Sequence, residues 1–324
     1  MKIDLAKYGY KPGLETQSGE LGRIVRVDRG ECDAATSSGI LRVLSDSQRS
    51  QNLLAPVVGD WVSIVEDPDL GFLINEVLPR SNTISRRDPS EQIIEQVLVA
   101  NIDHVFIVHG LDRPLPPGRL ERFLVIAEDS GAEVSIVLTK ADQTEEISEV
   151  KSIIKAVAED KPIFVVALRG SATEGLDEIN ELMEVGKTIA LLGESGAGKS
   201  TLINALVDDD IMATGEVRAG DKKGRHTTVT REMILHPRGG VLIDTPGVRS
   251  VGIWDAQEAL ERVFKDLEHL SNQCQFNDCA HATEPNCAIK EAEEKEVIDP
   301  YRVERYLALQ KELEEQKSRR AVKE

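Results

Sequence analysis

No window of this sequence approaches 18 uncharged apolar residues, which excludes a hydrophobic membrane-spanning helix. The first residues, MKIDLAKYGYKPGLETQSGE, contain no apolar stretch of the kind a secretory leader needs, so the expectation is a cytoplasmic protein with no membrane partner. Cysteine is scarce, limited to Cys32, Cys274, Cys279 and Cys287. Three of these fall within fourteen residues beside a histidine, a pattern that points to metal rather than to a disulfide framework. Positive charge is also in short supply: 39 Lys and Arg face 57 Asp and Glu, for a net charge of −18. That balance argues against a surface that binds nucleic-acid phosphates everywhere.

The 324 residues predict two or three domains, and a 40% hydrophobic, 30% charged composition is that of an ordinary globular chain. The acidity is uneven. Residues 1–90 are nearly neutral, with 11 basic against 13 acidic residues, while residues 91–255 carry 17 against 28. Inside that acidic middle, Arg218, Lys222, Lys223, Arg225 and Arg231 outweigh Glu216 and Asp221. That local basic excess stands against the acidity around it and needs a reason.

Three patterns follow one another along the chain. Between residues 21 and 90, LGRIVRV, GILRVL, GDWVSIV and GFLINEVL are short alternating runs with turns between them, as in a small closed β-barrel. Cys32 reads there as a lone small apolar residue. From about residue 101, apolar strands at 105–108, 134–138, 162–166, 188–192 and 241–243 alternate with amphipathic helices at 119–127 and 147–158. That alternation predicts a doubly wound parallel sheet with its ligand at the carboxyl ends of the strands. After Gly252, helices are expected over 256–270 and 288–317. The second reads as a charged, solvated surface helix and the final SRRAVKE as frayed.

Four motifs carry chemistry. GESGAGKS, between an apolar strand and a helical run, is a phosphate-binding loop formed by Gly193, Glu194, Ser195, Gly196, Ala197, Gly198, Lys199, Ser200 and Thr201. Its backbone N–H groups face the phosphates, Lys199 reaches the outer ones, and the Ser200 hydroxyl can meet Mg²⁺. DTPG follows the 241–243 strand; Asp244 can hold Mg²⁺ through water and the Gly247 amide can sense the third phosphate, although Asp, Pro and Gly also make an ordinary turn. TKAD ends the 134–138 strand, so Thr139, Lys140 and Asp142 are candidates for reading guanine, with helix capping as the plainer alternative. Between the phosphate loop and DTPG lies AGDKKGRHTT, a basic glycine-bearing stretch read as a switch. A threonine there can complete the Mg²⁺ shell, and His226 can reach an attacking water or simply sit in solvent.

TKAD lies upstream of GESGAGKS, the reverse of the usual order in GTPases. The order implies a circularly permuted domain whose new break precedes the Val105 strand. Beyond DTPG, Cys274-x4-Cys279-x-His281-x5-Cys287 offers four N/S ligands, the set of a closed structural Zn²⁺ site, against the alternative of buried free thiols beside a surface histidine.

Taken together, the permuted TKAD, GESGAGKS, GRHTT and DTPG, the barrel before them and the cysteine cluster after them resemble the RsgA (YjeQ) GTPases. The resemblance implies an OB-fold RNA-binding domain over residues 1–90, a permuted P-loop GTPase domain over 91–255 and a zinc-binding domain with a C-terminal helix over 256–324. It also implies GTP hydrolysis to GDP and phosphate in late maturation of the small ribosomal subunit, with the subunit and its rRNA as partners and as stimulus. One structural Zn²⁺, Mg²⁺ bound with GTP and a monomer complete the expectation. By motif, Lys199, His226 and Thr228 become the catalytic candidates, with Thr227 as a substitute for Thr228. Ser200, Thr228 and Asp244 become the Mg²⁺ ligands. Val248 stands where Ras-like enzymes carry a water-orienting glutamine, which is why His226 takes that role in the resemblance. The second base-contacting loop lacks the family's serine, leaving only the Ala167 backbone. The phosphate loop alone does not select the base, so an ATP-dependent ATPase or kinase, or an RNA-binding module with a structural nucleotide, remain the alternatives.

Overall fold

The computed structural model describes residues 2–28, 30–45, 54–87, 95–168, 174–209, 231–245 and 252–321. Five strands, β1 (Glu20–Val27), β2 (Glu31–Thr36), β3 (Gly39–Leu44), β4 (Trp61–Asp67) and β5 (Gly71–Val77), close into a barrel in the order β1-β2-β3-β5-β4. Its interior is filled by Ile24, Cys32, Ala34, Val43, Val62, Ile64 and Ile74. Cys32 is thus the small apolar core residue expected. Strand β2, ECDAAT, escapes sequence reading because its inward residues are small and carry little hydrophobic signal. Arg23 departs from simple alternation: it is 1% exposed. Its guanidinium donates to the carbonyls of Tyr8, Gly59 and Asn101 and lies 5.3 Å from the centre of the Trp61 ring. Burial draws its pKa down to about 10 against the pull of Asp103 and Asp60. One arginine thereby ties the amino-terminal turn, the barrel and the start of the next domain together.

Strands β6 (Thr83–Arg87) and β7 (Glu95–Ala100) pair antiparallel, so this hairpin spans the 90/91 boundary expected between the first two domains. The central sheet contains β8 (His104–Gly110), β9 (Glu133–Thr139), β10 (Ile163–Val165), β11 (Thr188–Leu192), β12 (Met233–Leu235) and β13 (Val241–Asp244). Their order across the sheet is β10-β9-β8-β11-β13-β12. The expected all-parallel sheet needs one correction, since the edge strand β12 runs antiparallel to β13. A tight turn, closed by His236 N–H donating to the Gly240 carbonyl, joins the two as a hairpin. Alternate residues of β8 serve opposite faces, as the pleat requires. Phe106 and Val108 pack with Leu202 and Ile203 on one side, and Val105 and Ile107 with Leu120 and Leu124 on the other.

Helices α1 (Pro117–Asp129), α2 (Ile147–Val157), α3 (Leu176–Glu181) and α4 (Lys199–Val207) cover the sheet. The carboxyl-terminal region holds α5 (Gln257–Val263), α6 (Lys265–Ser271), α7 (Ala288–Glu294) and α8 (Pro300–Ala321). Two long helices were expected here, but Phe264, at φ −111° and ψ 37°, divides the first. Pro300 opens α8 as a separate helix, because proline fits a first turn but not a helix interior. The helix continues through residues 318–321, which were expected to fray. Nor is it a solvated surface helix. Val303, Tyr306, Leu309 and Leu313, spaced three or four apart, are buried in the main core. Several of its charges are paired, Arg302 and Arg305 with Glu121 and Glu312 with Arg122. No helix among the described residues is long and apolar enough to cross a membrane.

Candidate active site and metal centre

The phosphate loop leaves the carboxyl end of β11 at the middle of the sheet and enters α4, where a doubly wound fold gathers its ligand. Gly198 has φ +92°, and a Cβ there would stand 2.8 Å from Thr139 Oγ1, so the position requires glycine on two counts. Lys199 is 7% exposed and its Nζ donates to the carbonyls of Gly193 (2.8 Å) and Glu194 (3.0 Å), holding the ammonium over the mouth of the loop. Burial lowers its pKa, opposed by the charges of Asp244 and Glu194.

Asp244 ends β13 and is 5% exposed. One oxygen lies 3.4 Å from Ser200 Oγ, and the other, Oδ1, is buried without a hydrogen-bond partner. Burial raises its pKa against the pull of Lys199 and Ser200. A buried carboxylate oxygen with an unmet lone pair, beside a hydroxyl and next to a phosphate loop, fits a divalent cation and its waters.

The base-reading candidates come to the same place. Thr139 Oγ1 donates to the Ala197 carbonyl at 2.5 Å, and Lys140 Nζ to the Gly196 carbonyl at 2.7 Å. TKAD and the phosphate loop are therefore joined directly, although 56 residues separate Lys140 from Gly196. Lys140 adopts φ +58°, which turns the chain so that exposed Asp142 follows on a single helical turn. The described residues reveal a further partner that sequence reading missed. Asp112, just after β8, accepts from Lys140 Nζ at 2.8 Å and from Arg113. Burial alone would raise the Asp112 carboxyl, but these two cations outweigh it and bring the pKa down to about 2. Arg113 and Arg119 also reach the phosphate loop, at the Ser195 carbonyl and the Glu194 carboxylate. The available signal was a charged Asp-Arg pair at the carboxyl end of a buried strand.

Ala167 lies beside the reader segment, since the Ala141 N–H donates to the carbonyl of Val166. Its own backbone is already engaged, however. The Ala167 N–H donates to the Glu174 carbonyl and its carbonyl accepts from the Glu174 N–H, so the expected Ala167 backbone contact with a base has no free donor. Gly193, Glu194, Ser195, Gly196, Ala197, Lys199, Ser200 and Thr201 all fall where the motif places them. His226, Thr227, Thr228, Gly247 and Val248 lie outside the described residues, as do Arg218, Lys222, Lys223 and Arg225.

Cys274, Cys279, His281 and Cys287 bring one ligand atom each to within 4.8 Å of the others. The Cys274–Cys287 sulfur separation is 3.9 Å, and His281 Nδ1 lies 3.6 and 3.4 Å from those two sulfurs. A tetrahedron with metal–sulfur bonds of about 2.3 Å has edges of about 3.8 Å, so the four atoms fit around one ion. Desolvation and the neighbouring Cys287 and Cys274 sulfurs push the Cys279 thiol up to about 11. Such crowding is relieved when a cation draws the protons off. His281 reaches the cluster from a residue with φ +57°. The four residues can hold a metal ion.

Phosphate loop, base-reader and strand-end aspartate at the ends of parallel strands of one sheet define a P-loop GTPase, with its base-reading half placed before its phosphate-binding half in the chain. The family model for the RsgA GTPase matches residues 77–254, and the chain belongs to that family. A small ribosomal subunit biogenesis GTPase RsgA from Streptomyces avermitilis is 40% identical over 293 residues, covering 90% of this chain and 79% of that protein. A protein of the same name from Methanosarcina acetivorans is 36% identical, covering 96% of this chain and 83% of its own. The crystal structure of YjeQ from Thermotoga maritima aligns with a TM-score of 0.63 at 28% identity, covering 91% of this chain and 98% of that one. YloQ, described as a circularly permuted GTPase, shares the fold with a TM-score of 0.61 over 94% of this chain and 99% of its own, at 23% identity. The chain is a GTP hydrolase with a permuted domain, and the ATP-dependent alternatives are not favoured.

Proposed function

We propose that this chain acts in maturation of the small ribosomal subunit, hydrolysing GTP to GDP and phosphate when it docks on the subunit and its rRNA. The observation that carries the reading is the direct seating of Thr139 and Lys140 on the carbonyls of Ala197 and Gly196, which couples base recognition to the phosphate loop. Asp142 accepts from the guanine ring N–H and exocyclic amine, while the Lys140 stem covers the ring. Lys199 and the loop amides neutralise charge that builds on the phosphoryl oxygens, as electrostatic stabilisation of phosphoryl transfer requires. Ser200, Asp244 and Thr228 would hold Mg²⁺, which would supply charge neutralisation at the phosphates. His226 orients the attacking water and Gly247 senses the third phosphate.

With an apolar residue, Val248, after DTPG, the water is poorly held until a partner orders the site, so turnover of the isolated protein is slow. The test is GTP hydrolysis with and without purified small subunits: a clear acceleration is expected. Rapid hydrolysis unaffected by subunits, or preferred hydrolysis of ATP, would overturn the reading. The protein works as a cytoplasmic monomer, its barrel serving RNA contact, its middle domain hydrolysis and its carboxyl-terminal domain a structural metal.

The metal is Zn²⁺, one per chain. Elemental analysis is expected to find it in the wild type and to lose it in Cys279→Ser. Protease sensitivity should then rise over residues 256–324 while GTP affinity stays within about twofold, because binding and local folding are coupled at such sites. Full zinc retention in the serine variant would remove Cys279 from the ligand set.

A further inference from the structure

The carbonyls of the phosphate loop are taken up one after another by side chains. Lys199 caps Gly193 and Glu194, Arg113 caps Ser195, Lys140 caps Gly196 and Thr139 caps Ala197. Among these caps Lys140 has a second task, because the reading above lays its stem on the guanine ring. That stem is a flexible four-carbon chain, so its place over the base depends on where its ammonium is tied. Two acceptors tie it: the Gly196 carbonyl at 2.7 Å and Asp112 Oδ2 at 2.8 Å. The second is an ion pair between partly buried groups, which solvent ions screen less than a pair on the open surface.

The chain around Asp112 is shaped to put a carboxylate at that point. Gly110 closes β8 opposite Thr139, and the Leu111 N–H donates to the Thr139 carbonyl at 2.9 Å, which extends the pairing to the residue before Asp112. Gly110 has no positive φ, so its backbone does not call for glycine. Space does. A Cβ there would stand 2.6 Å from Asp112 Oδ1 and 3.4 Å from both Cδ and Cε of the Lys140 stem. On its other side the carboxylate accepts from Arg113, from Nε at 3.3 Å and Nη2 at 3.1 Å. Buried His109 closes the turn, its Nε2 donating to the Arg113 carbonyl at 3.1 Å. Burial opposes ionisation of Asp112, but Arg113 and Lys140 outweigh it and keep the group charged.

We propose that Asp112 is a positioning residue for base recognition: by anchoring the Lys140 ammonium beside the phosphate loop it fixes the lysine stem against the guanine ring, and it governs affinity for guanine nucleotides rather than the hydrolytic step. The inference rests on the assignment of Lys140 and Asp142 as base readers above and names what holds one of them. A purely bracing role, in which Asp112 and Arg113 only stiffen the phosphate loop, makes a different forecast. Stiffening the loop serves phosphates, which guanine and adenine nucleotides share. Anchoring the Lys140 stem serves a base seat that only guanine fills, through Asp142.

The experiment is titration of the full-length protein with fluorescent GDP, competition by ADP, and single-turnover hydrolysis at saturating GTP. Asp112→Ala is expected to weaken GDP about tenfold, a change within the range of coupling between contacting groups. ADP affinity and the saturated hydrolysis rate should each stay within about twofold, the pattern of lost binding rather than lost transition-state contact. Asp112→Asn keeps an amide oxygen for Lys140 and should recover most of the loss, which separates the role from a folding defect. Gly110→Ala deletes no polar group, yet its Cβ displaces the carboxylate, so it should weaken GDP and spare ADP in the same way. Lys140→Ala should cost at least as much as Asp112→Ala, and combining the two should cost nothing more, because the carboxylate acts through that lysine. GDP affinity of Asp112→Ala within about twofold of wild type, equal losses for GDP and ADP, or losses that add in the double variant would overturn the proposal. The base-reader assignment is judged separately. A loss in Lys140→Ala without one in Asp112→Ala leaves that assignment standing and removes the anchor, whereas wild-type GDP affinity in Lys140→Ala removes the assignment and the anchor with it.

Discussion

Lys199→Ala is expected to slow single-turnover GTP hydrolysis by about 10²–10³-fold or more, the scale on which removing one preorganised charge-stabilising donor acts. The ammonium cannot be replaced by solvent, because it is 7% exposed and already directed by the carbonyls of Gly193 and Glu194. Its positive charge also offsets Asp244, whose Oδ1 lacks a partner, so alanine leaves that carboxylate further from ionisation and a poorer holder of a cation. Nucleotide affinity should fall too, and more for GTP than for GDP, since the lysine addresses the outer phosphates. Rapid-mix hydrolysis with labelled GTP and titration with a fluorescent nucleotide separate the two effects. A rate within about threefold of the wild type would show that the loop does not act in hydrolysis.

The site was far more legible in sequence than the way its parts are joined. GESGAGKS and DTPG are local devices: a glycine-rich turn between a strand and a helix, and an acid at a strand end, are written in consecutive residues. The phosphate loop and Asp244 take their positions from the strands β11 and β13 that carry them. Asp112 and Arg113 are different, because an Asp-Arg pair acquires meaning only when β8 is known to end beside both Lys140 and the phosphate loop. Ala167 is a related case. Its place beside the base reader was legible, but the engagement of its N–H by the Glu174 carbonyl depends on a loop closure that no periodicity announces. In the fold, β2 was missed because Cys32, Ala34 and Ala35 bury little area each. Strand β12 itself was missed, because three residues, Met233–Leu235, are too few to announce an edge strand by pattern. The charged face of α8 was misjudged because sequence does not reveal that its partner, Glu121, is itself inside the protein.

That partner sets the second large effect. Glu121 on α1 is 0% exposed, accepting from Arg302 at 2.7 Å and from Arg305 at 2.5 and 3.1 Å. Arg302 continues to Asp266 and the Val263 carbonyl, with its guanidinium 4.7 Å from the centre of the Phe264 ring. The helix α8 that bears both arginines also holds the backbone at Ile253, since Glu312 accepts from the Ile253 N–H and Gln316 donates to its carbonyl. One carboxylate thus clasps the hydrolase domain to the carboxyl-terminal region. Deleting it strands two cations, and breaking a buried pair from one side costs about 3–5 kcal/mol. Glu121→Ala is expected near the lower end, because Asp266 still compensates Arg302 and the Arg305 side chain is 23% exposed. Urea denaturation should move accordingly, and proteolysis should release α8 before the central sheet unfolds. The native cluster need not itself be stabilising relative to a hydrophobic one, because desolvation of three charges offsets most of their attraction. Replacing Glu121, Arg302 and Arg305 together by leucine or methionine should therefore recover much of the loss. A Glu121→Ala protein within about 1 kcal/mol of wild type, or a triple variant no more stable than the single one, would show that packing of Val303, Tyr306, Leu309 and Leu313, not this charge cluster, holds α8 to the hydrolase domain.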